Sequence, residues 1–182
     1  MSRQQVAFGE VARGEPIRQA TSMDAIVREL KDRNDVLETM YAYCRNADSL
    51  NADGMVALFT EDCIINYVAL DESLALHGTA ALRGMLADYF QGSVSSTHYI
   101  TNAELIFDSS DRVTLHAYMY SWQRFKNHPA IADCHRWGRY ENQFVRLAEG
   151  WRLRRMRLLS AGEYGGTRIG EQFSRAFPPV FE

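Results

Sequence analysis

Hydrophobic positions recur mainly at helical spacing in the first half of this chain and at strand spacing in the second. Residues 1–22, with Gly9, Gly14 and Pro16, show little periodicity and read as an N-terminal arm. In residues 23–51, Ile26, Val27 and Leu30 lead into Val36, Leu37, Met40, Tyr41, Cys44 and Ala47. That is a helical pattern with Asp24 as its expected cap, and Asn34-Asp35 is expected to divide it into two helices. A short helix capped near Asp53 should follow, then the β-rich run "CIINYVAL" and a shorter run, "SLALHG". Thr79 is the expected cap of "AALRGMLADYFQG", which ends at Gly92. Four long strand candidates complete the pattern: "HYITNAELIF", "RVTLHAYMYSWQRF", "HRWGRYENQFVRL" and "WRLRRMRLLS".

Helices first and then a meander of strands predict an α+β fold. Leu115 and Met119 fall on one parity of their strand, and Tyr118, Tyr120 and Trp122 on the other. Apolar residues on both faces suit a sheet covered on both sides, by helices on one and by another copy of the chain on the other. A homo-oligomer, dimer or trimer, through the outer sheet face is therefore expected. A curved sheet closing over helices leaves a cone-shaped cavity for a small molecule. The domain should span residues 23–160. The glycine-rich tail 161–182, with Phe173, Phe177 and Phe181, is expected either to close over the cavity as a lid or to lie at a subunit interface.

Composition narrows the function. A formal charge of −3 in 182 residues gives no drive toward nucleic acid or an anionic membrane. No apolar run approaches about 18 residues, so no membrane span is expected, and no signal-peptide core opens the chain. Three cysteines without CxxC spacing favour a reducing compartment, so a soluble cytoplasmic protein is expected. Cys134-His135 is a lone adjacent pair, too few ligands for zinc. The chain has no GxSxG, P-loop or GxGxxG motif. Neither a metal nor a cofactor is expected.

The order of elements and four local stretches resemble the nuclear transport factor 2-like superfamily, in its SnoaL-like and scytalone dehydratase-like branch. "MYAYCRNADSLNADGMVALFTEDCIINY" looks like the family opening, "HGTAALRGML" like its third-helix entry and "THYITN" like the strand bearing its catalytic histidine. "GRYENQFVRLAEGWRLRRMR" looks like its closing hairpin. The resemblance implies a cone-shaped fold, a curved, mostly antiparallel sheet wrapped around about three helices. It also implies that His98 acts as a general base oriented by Asp48. Tyr43 and Tyr67 occupy places where relatives carry substrate-facing groups, and Arg155 lies near a pocket arginine of some relatives. A strand residue of scytalone dehydratases, a second histidine, is replaced here by Trp122.

Strand parity opposes one of these expectations. His98 shares a face with Ile100, Asn102, Glu104 and Ile106, whereas Tyr99, Leu105 and Phe107 form the more apolar face. A β-bulge would reconcile them. Trp122, Tyr140, Tyr118, Phe59 and Met40 are the expected pocket lining, with Trp137 a further aromatic, suiting a flat, ring-containing ligand. The function implied is a cofactor-independent lyase or isomerase, dehydratase-like, acting on a hydrophobic cyclic carbonyl compound. The alternatives are a non-catalytic binding or assembly subunit on the same fold and a polyketide cyclase.

Overall fold

The computed structural model describes residues 21–67, 72–126 and 133–165. Residues 1–20 of the expected arm and residues 166–182 of the expected tail lie outside the described residues. Among the described residues, three helices and six strands run in the order α1 (Met23–Asp48), α2 (Ala52–Val56), β1 (Phe59–Asn66), β2 (Leu76–His77), α3 (Gly78–Gly92), β3 (Ser93–Ser109), β4 (Arg112–Phe125), β5 (Asp133–Leu147) and β6 (Gly150–Gly165). A single 3₁₀ turn, Glu72–Leu74, precedes β2. No helix among the described residues is long and apolar enough to cross a membrane.

The break expected at Asn34-Asp35 is absent, and α1 is one helix of 26 residues. Asn34 faces solvent, and Asp35 pairs with Lys31 one turn earlier. Val36, Met40, Tyr43, Cys44 and Ala47 form an unbroken buried stripe. Continuous burial of that stripe outweighs the weak propensity of one Asn-Asp step. The caps also differ from expectation. Ser22, not Asp24, accepts the Ala25 N–H, at 3.2 Å, and Asn51 rather than Asp53 accepts the Gly54 N–H, at 3.0 Å. At α3 the cap position is His77, without a side-chain bond, and Gly78 makes the turn at φ +80°. That conformation suits glycine and leaves Thr79 inside the helix.

The strands form one mixed sheet in the order β2-β1-β6-β5-β4-β3. β1 runs parallel to β6, and every other neighbouring pair is antiparallel. α1 packs across β3 and β6, and α3 against β1, so the helices cover one face. Met40, Ile65, Leu82, Leu115, Phe144, Leu153 and Met156 are fully buried between the layers. Each contributes roughly 1.5–3 kcal/mol relative to exposure. On the other face Tyr99, Tyr118 and Trp137 are exposed. β6 continues to Gly165, five residues into the stretch read from the sequence as tail.

Register shifts decide which side chains face inward, and one on β6, between Trp137↔Gly162 and Gly138↔Ser160, brings Glu163 to the same face as Leu158. On β3, Thr101 pairs with Tyr118 and Glu104 with His116, so three steps on β3 match two on β4. Asn102 takes the extra place at φ 52°, a left-handed conformation that asparagine tolerates better than most residues. Ser96 and His98 therefore face inward before the bulge, and Leu105 and Phe107 after it. A second shift separates Phe144↔Leu153 from Asn142↔Met156. Trp151 and Leu153 face inward before it, and Met156 and Leu158 after it, which turns Arg155 outward.

Candidate active site

Asp48 is the last residue of α1, where a negative charge meets the unfavourable end of the helix dipole. β3 supplies the compensation. The Asp48 Oδ2 accepts the backbone N–H of His98 at 3.0 Å, and its Oδ1 accepts the Ser96 hydroxyl at 3.1 Å. The same Oδ1 lies 2.6 Å from His98 Nδ1. A carboxylate only accepts hydrogen bonds, so Nδ1 carries the proton and Nε2 keeps its lone pair. The imidazole is 10% exposed and lines a cavity of about 60 Å³, with Nε2 on the side away from Asp48.

The cavity lies between the concave face of the sheet and the three helices. Its apolar wall includes Met55, Met85, Leu86, Phe90, Met119 and Leu158. Tyr43 from α1 and Tyr67 from the end of β1 meet inside it, hydroxyl to hydroxyl, at 2.9 Å. One hydroxyl of this pair donates to the other, whose own proton remains for a third group. Burial, with the neighbouring Tyr67 and Tyr140 adding to it, pushes the Tyr43 phenol well above its ordinary value. Burial also pushes Tyr67 up to about 12, against the hydrogen bond with Tyr43. Both phenols stay neutral near pH 7 and can donate. Tyr140 packs edge-on against Tyr43, with ring centroids 6.3 Å apart, and also lines the cavity.

Other expected positions fall elsewhere. Arg155 is not in the cavity: the β6 bulge turns it outward, where its Nη2 reaches both Glu72 carboxylate oxygens at 3.0 Å. Tyr118 and Trp122 are also on the outer face, because β4 pairs with β5 without a register shift and its odd-numbered residues point inward. There Tyr118 stacks under Arg139 and Trp122 under Arg124. Trp137 is likewise outward and 43% exposed. Phe59 and Met40 are core residues that do not line the cavity, and Phe59 supports the Tyr43 ring edge-on at 6.2 Å. Cys134 and His135 point to opposite faces, and His135 Nδ1 and the Tyr120 hydroxyl form a hydrogen bond of 2.7 Å. Among the described residues no group of three or more His, Cys, Asp or Glu is placed to hold a metal ion.

Sequence reasoning missed Ser96, Ser121, Gln123, Tyr89 and Arg136. Arg136 shares the parity of Tyr140 on β5, a signal that was available. Burial raises the Tyr89 phenol, against the charge of Arg136 and a hydrogen bond with Gln123.

A six-stranded sheet closed over three helices, with a carboxylate-held imidazole inside it, is the nuclear transport factor 2-like fold. The chain belongs to the SnoaL-like family, whose domain model matches residues 28–157. Solved structures share the fold. A candidate scytalone dehydratase from Novosphingobium aromaticivorans is 19% identical, with a TM-score of 0.71 over 77% of this chain and 91% of that one. A hexachlorocyclohexane dehydrochlorinase, LinA-type3, from Novosphingobium barchaimii is 12% identical, with a TM-score of 0.66 over 79% and 95%. ActVI-ORFA from Streptomyces coelicolor is 21% identical, with a TM-score of 0.56 over 71% and 96%. No curated protein sequence matches the chain significantly.

Proposed function

We propose that this protein is a cofactor-independent lyase or isomerase, with His98 as general base, acting on a hydrophobic cyclic carbonyl compound. The observation that carries this reading is the His98 imidazole, bound through Nδ1 to Asp48, beside the Tyr43–Tyr67 hydroxyl pair in one apolar cavity. Nε2 removes a proton α to the substrate carbonyl, and the electron pair moves onto the carbonyl oxygen. A hydroxyl proton of the tyrosine cluster hydrogen-bonds that oxygen as its charge grows. Asp48 stabilises the imidazolium formed. The imidazolium then returns the proton, either to a departing hydroxyl, completing an elimination, or to another carbon, completing an isomerisation. A base so held is typically worth ~10²–10⁴ in rate. The names of two structural neighbours, a dehydratase and a dehydrochlorinase, are in keeping with elimination chemistry.

Proton abstraction can be measured without knowing the leaving group. A panel of cyclic ketones in D₂O, followed by proton NMR, should show α-deuterium exchange above the buffer rate with the wild-type protein. His98→Ala should return it to background while circular dichroism shows the fold intact. If the panel exchanges no faster with protein than without it, or equally fast with His98→Ala, the chain is a ligand-binding subunit and the catalytic reading falls.

A further inference from the structure

A polar row crosses the inner face of the sheet. His98 on β3 is in register with Ser121 on β4, Ser121 with Arg136 on β5, and Arg136 with Glu163 on β6. Adjacent strands lie ~4.8 Å apart, so the backbones of His98 and Arg136 are separated by roughly 10 Å, with Ser121 between them. The first three of these residues line the same cavity. The Arg136 side chain is only 12% exposed. Glu163 holds it from the β6 side, its Oε2 accepting from Nε at 3.3 Å and from Nη2 at 3.0 Å.

A guanidinium in an apolar wall carries a large desolvation cost, which hydrogen-bonded partners such as Glu163 offset. In a largely apolar cavity, the few polar groups are those that orient the ligand. The arrangement therefore has a base at one end and a planar cation two strands away, with an apolar surface facing them. A guanidinium matches a carboxylate in shape as well as charge.

Building on the base assigned to His98, we infer that Arg136 recognises a carboxylate on the substrate. The substrate class is then a ring-bearing carbonyl compound that also carries an acid group, oriented with its acid on β5 and its reacting C–H toward β3. Ser121, between the two, faces the body of the ligand. Arg136 acts in binding and orientation, and the proton transfer remains with His98.

Benzoate and benzamide share shape and differ in charge, so they isolate this contact. Isothermal titration should show benzoate binding the wild-type protein about 10- to 100-fold more tightly than benzamide, the range expected of a charge-assisted hydrogen-bonded pair. Arg136→Gln should reduce that ratio to within about threefold, chiefly by weakening benzoate. Arg136→Lys, which keeps the charge and loses the fork, should restore part of it. His98→Asn should leave the ratio unchanged, and a wild-type protein that shows the benzoate preference but no ketone exchange above the buffer rate would refute the base and spare the anion site. Equal affinities in the wild type, no binding of either probe, or a full benzoate preference in Arg136→Gln would each overturn the assignment. The wild-type comparison stands even if a variant fails to fold.

Discussion

Replacing Asp48 by asparagine tests the orienting contact directly, because the variant has only two ways to arrange its amide. In one, the carbonyl oxygen takes the Oδ2 place and keeps the backbone N–H of His98, which Oδ2 accepts at 3.0 Å. The NH₂ then occupies the Oδ1 place. Ser96 can give its proton instead to the Ala47 carbonyl, already 3.2 Å away, and His98 Nδ1 must become an acceptor. No donor is orphaned, but the ring proton moves to Nε2. In the other arrangement the NH₂ faces the His98 backbone N–H, donor against donor. An unsatisfied buried donor costs about 1–3 kcal/mol. The first arrangement should therefore win by roughly 5- to 150-fold. Long-range nitrogen–proton correlation NMR of the imidazole, at a pH above its titration range, reads the tautomer without any substrate. The wild type should carry the proton on Nδ1 and Asp48→Asn on Nε2. A protonated Nε2 cannot act as base, so the ~10²–10⁴ of general-base catalysis, about 2.7–5.4 kcal/mol of barrier, should vanish with it. The same tautomer in both proteins would refute the argument, whatever happened to activity.

Two further outcomes follow from groups outside the base. Burial raises the Asp32 carboxyl, but hydrogen bonds from Arg146 and Trp151 and the Arg146 charge together hold it below its ordinary value of 3.8. Its stabilising contribution is thus present above that pH and lost as the pH falls through the lowered folded value. Asp32→Asn should cost about 1.5–3 kcal/mol at pH 7. That gap should narrow below pH 3.8 in urea unfolding followed by tryptophan fluorescence, and a gap independent of pH would contradict the ion-pair origin. The buried phenols act at the other end of the scale. Tyr67 is raised to about 12, and Tyr43 and Tyr140 are raised well above their ordinary value of 10.0, all chiefly by burial. Stability from them is complete below pH 10.0 and is lost as the pH climbs toward their folded values. Absorbance titration should show fewer than the chain's nine tyrosines ionising around pH 10, the rest appearing only with unfolding. All nine in a single phase would show that these phenols are not held in the protected cavity.

The residue pattern by itself determined the elements and their order, because helical and strand periodicities are local properties that survive small errors at the ends. It also brought Asp48 and His98 forward as one pair, and Tyr43 and Tyr67 as groups near them, through the family resemblance. What it could not decide was facing. A bulge such as that at Asn102 adds one residue to one strand only, so it becomes visible when the partner strand is in register. That extra residue makes the inward direction of His98 compatible with that of Leu105. The corresponding shift on β6 removed Arg155 from the cavity, though its parity with Trp151 had placed it inside. Trp122 and Tyr118 were misassigned for the related reason that aromatic residues suit either face of a strand, and the helices cover the other one. Arg136 reached the cavity through pairings between residues far apart in the chain, Ser121↔Arg136 and Arg136↔Glu163. Period and composition are summed along the chain, whereas a site is assembled across strands, so only the tertiary structure could set the Arg136 cation in one row with the His98 imidazole.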